Sequence, residues 1–391
     1  TCAEAGLSVR VIETMVEKNY WAYGIDFGHI NSEFLRSKGV PPVDEIEFFN
    51  DWQLRSGNRS NPRLVMKFVK NCGSCFDWFL EALSEEQKNN VYIRYWPAPR
   101  KYSNNICGIK TWIGTATFPE ELWHDKGITE AVVASIQRAK AHGAQFHFST
   151  VAEQLEKDGN RVTAVIAKER HGGYVRFKAA KGVVLAAGDF ARNDEMMRDL
   201  CDELVTLAAS EDQRITGLSR DGSGIQMGIW AGGRMVPGPI ACMGGNTAAP
   251  NSPLFQATAT LWLDGNNKRF CNEGNVTGAS TATARQKNET GWLVTDKNFM
   301  QSICACGIEH SGPNAGRPQY YQDLIDDMEA LPCSSEEQSI RSCFVAERMM
   351  SKIYKCDSLE ELAKAMGVPD DKMDTFMASI EEYNAMCDAG K

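Results

Sequence analysis

Residues 3–13 read AEAGLSVRVIE, and no other stretch carries as much information about the architecture. The pattern predicts the end of a helix, a turn at Gly6, a buried strand and then an acid, Glu13. In a nucleotide-binding βαβ unit, such an acid follows a glycine-rich phosphate loop by about 20 residues and accepts the ribose hydroxyls. Only twelve residues precede Glu13, so we expect the glycine loop to lie upstream of Thr1 and the chain to be a fragment.

The composition is that of an ordinary globular protein. The 391 residues are 43% hydrophobic and 24% charged, which is enough material for two or three domains. A formal net charge of -9 argues against a nucleic-acid partner, because phosphates require a basic surface, whereas a small-molecule ligand stays open. No apolar run approaches the roughly 18 residues of a membrane span. The cellular location is left open, because any export signal would precede Thr1.

The cysteines predict buried thiols. There are 13 of them, without the regular spacing of a disulfide framework, so reduced side chains are expected. Cys72 and Cys75 form a CxxC pair, but the surrounding apolar residues recur at helical spacing from Phe68 to Phe79. We therefore predict that both thiols lie on the buried face of a helix and are not a redox or zinc pair. The histidine spacing also indicates no metal site.

Periodicity predicts the secondary structure of the first half. Apolar side chains recur every three or four residues from Asn61 to Leu83 and from Ile128 to His142, which predicts two helices. The sequence GVVLAA at 182–187 is continuously apolar and predicts a strand covered on both faces in a parallel sheet. Between these elements the period is two, which predicts a three-stranded antiparallel meander over 145–156, 161–168 and 174–178. The expected class is therefore α/β, a Rossmann-like domain with a meander laid against it.

A change in composition near Pro237 predicts a domain boundary. Proline, glycine and asparagine are dense from there to Pro253. We therefore assign residues 1–236 to the nucleotide-binding domain and 237–391 to a second, α+β domain. That domain is predicted to end in two helices, the first starting at a capping box on Ser358. The second has an apolar face formed by Met373, Phe376, Met377, Ile380 and Tyr383.

Four stretches resemble one family of flavoproteins. They are AEAGLSVRVIE, GVVLAAGDFARNDEMM from Gly182, LWLDGNNKRFCNE from Leu261 and SLEELAKAMGVPDDKMDTFMASIEEYNAM from Ser358. Their order and spacing are similar to those of fumarate reductase, succinate dehydrogenase and 3-ketosteroid dehydrogenase, which are FAD-dependent oxidoreductases with a capping domain. The resemblance implies FAD as the cofactor and a cap over 237–391. It also implies a return segment to the FAD domain, which we expect to follow Lys391.

The resemblance assigns residues to the two ends of the cofactor. Residues 27–32 resemble the family's Gly-Gly-x-Asn-Ala turn against the flavin ring, which retains Gly28 and Asn31. His29 replaces the second glycine, and it either packs in place or attaches covalently to the flavin. At the other end, the resemblance implies that Glu13 holds the ribose.

The remaining cofactor positions belong to the meander and to two loops. The family reads the adenine edge through backbone groups, here at Val151 and Ala152. Ala187 and Gly188 are small enough for close passage of the cofactor. Asp221 lies in a stretch resembling the family's Gly-Asp-Gly loop, and it either touches the cofactor or caps the helix that follows.

The substrate residues depart from the family. The resemblance implies hydride transfer from flavin N5 to an activated C=C bond, with a cap-domain arginine delivering the proton. Thr277 and Gln256 stand at two arginine positions, and dicarboxylate binding needs such guanidinium groups, so fumarate is not the expected substrate. Arg285 and His310 are candidate proton donors. Each can equally be a surface arginine or a loop histidine without a catalytic task.

Three functions follow from the resemblance. The leading one is an FAD-dependent reductase of an activated C=C bond in a small molecule less anionic than fumarate. The alternatives are a ketosteroid-type dehydrogenase that introduces a C=C bond beside a ketone, and a flavin-binding protein without catalysis. The electron donor is open and includes a haem or FMN domain or a separate protein. The isolated segment is expected to bind FAD weakly, because a phosphate loop normally supplies amides to the pyrophosphate.

Overall fold

The computed structural model contains both helices and strands. It describes residues 1–22, 26–93, 112, 114–118, 126–201, 220–236, 238, 240, 260–273, 282, 286, 291–298, 326–341 and 350–390. The strands are β1 (Arg10–Ile12), β2 (Asp26–Gly28), β3 (Tyr92–Ile93), β4 (Thr115–Thr117), β5 (Gln145–His147), β6 (Thr150–Asp158), β7 (Arg161–Glu169), β8 (Tyr174–Lys178), β9 (Leu261–Asp264), β10 (Gly291–Val294), β11 (Ser334–Arg341) and β12 (Met350–Lys355). The helices are α1 (Glu33–Ser37), α2 (Glu45–Arg55), α3 (Pro62–Leu80), α4 (Glu85–Asn90), α5 (Lys126–Ala141), α6 (Asp194–Leu200), α7 (Ser223–Trp230), α8 (Leu359–Ala365) and α9 (Met373–Asp388).

The first strand belongs to a parallel pair. β1 runs parallel to β5, with Ile12 opposite His147. The prediction of one continuous strand over 145–156 is wrong, because the chain turns at Ser149, whose φ is 54°. The part before this turn joins β1, and only the part after it enters the meander.

The antiparallel meander is confirmed. β7 pairs with β6 on one side and with β8 on the other, both antiparallel. The core on one of its faces contains Val165, Ala167 and Phe177, and Ile12 and Val183 pack against it. The parallel pair and the segment after the meander therefore meet on the same side of this sheet.

The strand predicted over 182–187 is wrong. These residues form no strand, and Val184 and Leu185 are 83% and 45% exposed. A strand covered on both faces needs a pairing strand and a layer above and below it. In the described residues the stretch is only partly covered: Val183 packs against the meander, and Leu185 and Ala187 face Gly228 and Gly224 of α7. Mixed helix and strand content is confirmed, and the parallel sheet in the described residues is limited to β1 and β5.

Helix α3 organises the packing of the N-terminal half. Asn61 caps it by accepting a hydrogen bond from the Arg63 amide, and Pro62 occupies the first turn, as predicted. Its buried stripe passes through Cys72 and Phe76, but Cys75 lies beside the stripe and is exposed. The prediction that both thiols are buried is therefore wrong for Cys75.

The C-terminal part has its own core. β9 pairs with β10 and β11 pairs with β12, all antiparallel. α9 follows its predicted face, with Phe376 and Ile380 buried against Leu261 and Leu263 of β9. Ser358 accepts a hydrogen bond from the Glu361 amide at 3.2 Å, as a capping box requires, but the Glu361 carboxylate accepts from the Asp357 amide. None of the described helices combines the length and apolar composition needed to cross a membrane.

An ion pair between the exposed Arg269 and the buried Glu273 closes the turn after β9. The Arg269 guanidinium donates three hydrogen bonds of 2.6 to 3.0 Å to the Glu273 carboxylate, which is 4% exposed. The same guanidinium lies 5.8 Å from the ring centroid of Tyr383 on α9. Burial raises the pKa of the neighbouring Cys271 thiol to about 12, so this cysteine stays protonated. The KRFCNE stretch thus fastens the β9 turn to α9.

Candidate functional site

Glu13 lies where β1 ends. Its amide donates to the His147 carbonyl at 2.9 Å and its carbonyl accepts from the Thr150 amide at 3.0 Å, so it bridges the parallel pair and the meander. One carboxylate oxygen, Oε1, accepts from the Met15 amide at 2.8 Å and from the Thr14 hydroxyl at 3.1 Å. These bonds fix the carboxylate at the carboxyl end of a parallel strand, where dinucleotide ribose is bound in open α/β folds.

Tyr20 connects this acid to a second loop. Burial raises the pKa of the Tyr20 phenol, the nearby Glu13 charge raises it further, and Arg220 lowers it. Both charged groups are therefore within electrostatic reach of one phenol. The Thr150 amide is bonded to the Glu13 carbonyl, so Val151 and Ala152, the next two residues of β6, lie close to Glu13. The structure thus brings the predicted ribose and adenine positions together.

The loops containing Gly188 and Asp221 are joined to each other. The Asp189 carboxylate accepts from the Arg220 amide at 3.0 Å, and its carbonyl accepts from the Gly222 amide at 3.0 Å. Gly188, directly after Ala187, has a φ of +84°, which a side chain would strain. The Asp221 carboxylate accepts from the Ser223 amide at 3.0 Å, which lowers its pKa and keeps it ionised. Of the two predicted roles of Asp221, this contact favours capping α7.

The turn over 28–32 forms a second group. A Cβ added to Gly28 would meet no atom within 4 Å, so there is open space beside it. Asn31 adopts a left-handed φ of 57°, which asparagine tolerates better than most residues. Its side-chain amide donates to the Val43 carbonyl at 2.9 Å and accepts from the Val43 amide at 2.8 Å. The turn is therefore tied to the segment that leads into α2.

His29 is enclosed by this turn. It is 4% exposed and stacks on Phe76 with ring centroids 4.0 Å apart. Because a carbonyl can only accept, Nδ1 donates to the Phe27 carbonyl at 3.0 Å. Nε2 therefore accepts from the Ser32 hydroxyl at 2.9 Å, and that oxygen accepts from the Leu35 amide at 3.0 Å. Both ring nitrogens are thus engaged within the protein, which favours the packing role over a covalent flavin link.

Acidification should destabilise the fold through His29. Burial lowers its pKa, against weaker opposing effects of the Phe27 carbonyl and Asp77, so below the ordinary value of 6.5 the unfolded chain binds more protons than the folded one. The stability contribution is complete above that value and is lost as the pH falls. Between about pH 7 and pH 5, the Tm of His29→Gln should therefore fall less than that of the wild type. His142→Gln, at an exposed histidine, is the control, and equal slopes for both variants would contradict the prediction.

Gly73 of α3 should tolerate no side chain. A Cβ there would lie 2.5 Å from the Ile30 carbonyl oxygen and 2.9 Å from the Asn31 carbonyl carbon, both of them backbone atoms. Gly73→Ala should therefore cost about 2 kcal/mol of stability in urea unfolding, because the turn must move. Gly173→Ala is the matched control, since its Cβ would meet no atom within 4 Å. Equal stability of the two variants would show that the close contact does not form.

The candidate proton donors lie outside the described residues. This holds for Arg285 and His310, as well as for Thr277 and Gln256, so their roles stay predictions. Among the residues that the structure does describe, no group of three or more histidine, cysteine, aspartate or glutamate side chains could share a metal ion.

The fold and these positions define a class of protein. An acid at the end of a parallel strand, next to a meander and small-residue loops, is typical of proteins that bind dinucleotides. The sequence model of the FAD binding domain family matches residues 1–390, and the chain belongs to this family. The predicted cofactor, FAD, and the predicted class, a flavoprotein oxidoreductase, are thereby confirmed.

Three solved structures are similar to this chain at low sequence identity. The 3-ketosteroid-Δ4-(5α)-dehydrogenase of Rhodococcus jostii RHA1, in complex with 4-androstene-3,17-dione, is 15% identical, with a TM-score of 0.63 over 100% of this chain and 74% of its own. The 3-ketosteroid Δ1-dehydrogenase of Sterolibacterium denitrificans is 16% identical, with a TM-score of 0.54 over 100% of this chain and 77% of its own. A flavocytochrome c3 fumarate reductase is 14% identical, with a TM-score of 0.49 over 98% and 62%. At these identities the similarity to the two 3-ketosteroid dehydrogenases shows a shared fold alone.

Sequence reasoning missed two residues near Glu13 and Asp221. Tyr20 follows β1 without belonging to a motif, and Arg220, directly before Asp221, was not among the predicted site residues. Their common signal is proximity to Glu13 and Asp221 in space, which becomes visible once the loops have folded. Both groups contain backbone contacts that no side-chain pattern predicts.

Proposed function

We propose that the chain uses FAD to reduce an activated C=C bond of a small molecule less anionic than fumarate. The observation that carries this proposal is that Glu13, whose backbone bonds both β5 and the meander, stands at the end of β1 in a chain that belongs to an FAD-binding family. The missing arginines at 256 and 277 argue for a substrate with fewer carboxylates. We also propose that residues 1–236 form the FAD domain and 237–391 the cap.

The residues present fit the cofactor. The open space beside Gly28 leaves room for a flat ring against the backbone, and the left-handed Gly188 allows close approach of a ligand. Glu13 would hold the ribose, and Val151 and Ala152 would bind the adenine edge through their backbone. Ala187 and Gly188 are small enough for the cofactor to pass close to them. The turn from Gly28 to Asn31 would lie against the ring. Because both nitrogens of His29 are engaged, this histidine holds the turn in shape and leaves the ring non-covalently bound.

The chain must provide the proton that completes the reduction. Bound FAD supplies the hydride, and a side chain of the cap has to place a proton on the other carbon of the C=C bond. Arg285 and His310 are the candidates within the cap. Arg285→Lys should keep part of the activity if a cation alone suffices, whereas His310→Ala should lower kcat if the imidazole donates the proton.

Anaerobic assays with reduced viologen test the proposed direction. The FAD-loaded protein should oxidise the dye when an enone or an enoate is added and should show little reaction with fumarate. Colour in the supernatant after acid precipitation would confirm that the flavin is not covalently bound. If no member of a broad panel of enones, enoates and steroids causes dye oxidation, reduction of a C=C bond is ruled out as the function.

A dehydrogenase is the second candidate, and the fold similarity favours it. Two solved structures, with TM-scores of 0.63 and 0.54, are 3-ketosteroid dehydrogenases. In this direction the chain would introduce a C=C bond beside a ketone. Saturated ketones supplied with a phenazine acceptor distinguish the two directions, because only a dehydrogenase should reduce the acceptor at an appreciable rate.

A further inference from the structure

A pocket with aromatic walls opens beside α2. It has a volume of about 260 Å³, opens to solvent, and is lined by Phe48, Asp51, Trp52, Arg55 and Ser56 of α2 and by Trp112. Phe48 makes edge-to-face contacts with Trp52 and Trp112, with ring centroids 5.9 and 5.6 Å apart. Three aromatic side chains therefore contribute to one concave surface, which favours a ligand that is itself a flat ring.

Two contacts hold these walls in place. The Trp112 indole donates to the Asp51 carboxylate at 2.9 Å, which links the isolated tryptophan to α2. Trp52 packs against Phe68 of α3, with centroids 5.2 Å apart. An aromatic wall fixed before binding loses little conformational entropy when a ligand arrives. The pocket is thus preorganised to hold a ring.

The pocket adjoins the turn that we propose to lie against the flavin. Val43, which bonds both ends of the Asn31 side-chain amide, is adjacent to the Asp44 cap of α2. On the other wall, Trp112 is two residues from Gly114, whose carbonyl accepts from the His29 amide at 2.8 Å. Ile30 of the turn packs in one cluster with Phe48 and Trp52. Both walls are therefore anchored to 28–32.

We infer that this pocket binds the aryl ring of the substrate, so that the reacting C=C bond is conjugated to a ring held by Phe48, Trp52 and Trp112. The inference depends on the proposed function only in assigning the ring to the substrate. An aryl enoate has one carboxylate and one activated C=C bond, in agreement with a substrate less anionic than fumarate.

Calorimetry with two enoates tests the pocket separately from catalysis. The probes are trans-cinnamate and crotonate, which carry the same enoate with and without a phenyl ring. The FAD-loaded protein should bind cinnamate at least about 10-fold more tightly, because only cinnamate buries a ring. Trp52→Ala should remove most of this preference and leave crotonate binding unchanged. Trp230→Ala, at a tryptophan 69% exposed at the end of α7, is the matched control and should retain the preference.

A milder variant guards against unfolding. Trp112→Phe keeps an aromatic wall but removes the indole donor to Asp51, so we expect it to fold and to bind cinnamate about 3-fold to 10-fold more weakly. Equal affinities for the two enoates, or cinnamate affinity unchanged in both Trp52→Ala and Trp112→Phe, would overturn the inference.

The viologen assay separates this failure from that of the proposed function. In one outcome, cinnamate binds through Trp52 but neither it nor any other enone or enoate is reduced. This result would support the pocket and contradict the proposed reductase function. In the other outcome, crotonate and cinnamate are reduced with the same kcat/KM, and Trp52→Ala changes neither value. This result would support the reductase and contradict the pocket.

Discussion

Replacing Glu13 with glutamine should weaken FAD binding about 100-fold, because two charge-assisted hydrogen bonds to ribose hydroxyls are together worth about 2–3 kcal/mol. Glutamine retains an oxygen that can accept from the Met15 amide and the Thr14 hydroxyl, so the local fold should be kept. The side-chain amide that replaces the second oxygen cannot accept a hydroxyl proton. Fluorescence titration of FAD onto the apoprotein measures the change in Kd.

The control for this experiment is Glu17→Gln. Glu17 lies four residues after Glu13 and forms a surface ion pair with Lys140. Its replacement therefore removes a nearby carboxylate but leaves the end of β1 unchanged. Its Kd for FAD should match the wild type. An unchanged Kd for Glu13→Gln would mean that the ribose is held elsewhere. The proposal that the end of β1 and the start of β6 hold the adenosine part of FAD would then fail.

Replacing Arg269 with methionine should destabilise the C-terminal part of the chain by about 3 kcal/mol, because it leaves a buried carboxylate without its partner. Glu273 is 4% exposed and accepts all three of the hydrogen bonds that the guanidinium directs at it. Methionine fills a similar volume, so lost packing contributes little. Urea unfolding followed by tryptophan fluorescence reports the change, since Trp262 and Trp292 lie in the paired strands β9 and β10.

Two further variants identify the cause. Arg269→Lys retains the charge but not the planar fork, so it should lose part of the stability. Arg176→Met removes a similar two-pronged contact with Glu156, but both of these side chains are exposed, and little change is expected. If the Arg269 and Arg176 variants lose equal stability, burial of the carboxylate is not the source of the effect.

Helices and strands could be predicted where one of their faces is buried and the other is exposed to solvent. α3, α5 and α9 have clear stripes, and the meander alternates with a period of two. The prediction failed where a strand depends on its neighbours. Residues 182–187 have the composition of a buried strand, but pairing is a property of the surroundings. The break at Ser149 was missed because a left-handed serine has no distinctive sequence signal.

The candidate site was predictable in its parts but not in its connections. Glu13 was proposed from the end of a strand, and Asn31 and Asp221 were proposed from the resemblance to the family's turns; all three site roles stay predictions. The Tyr20 neighbourhood and the pocket at Trp52 and Trp112 join segments far apart in sequence, so only the folded chain reveals them. The exchange of a glycine for His29 was visible, but its meaning came from the hydrogen bonds to Phe27 and Ser32.

The partly covered stretch at 182–187 also affects how the protein behaves at high concentration. An extended, uncharged run of apolar residues, with Val184 83% exposed, is the kind of template on which other molecules add strands. Electrostatic repulsion from a net charge of -9 keeps molecules apart in general, but it acts weakly on a short neutral segment at ordinary salt. Where nothing covers this stretch, we therefore expect it to be a point at which two molecules can pair at high concentration.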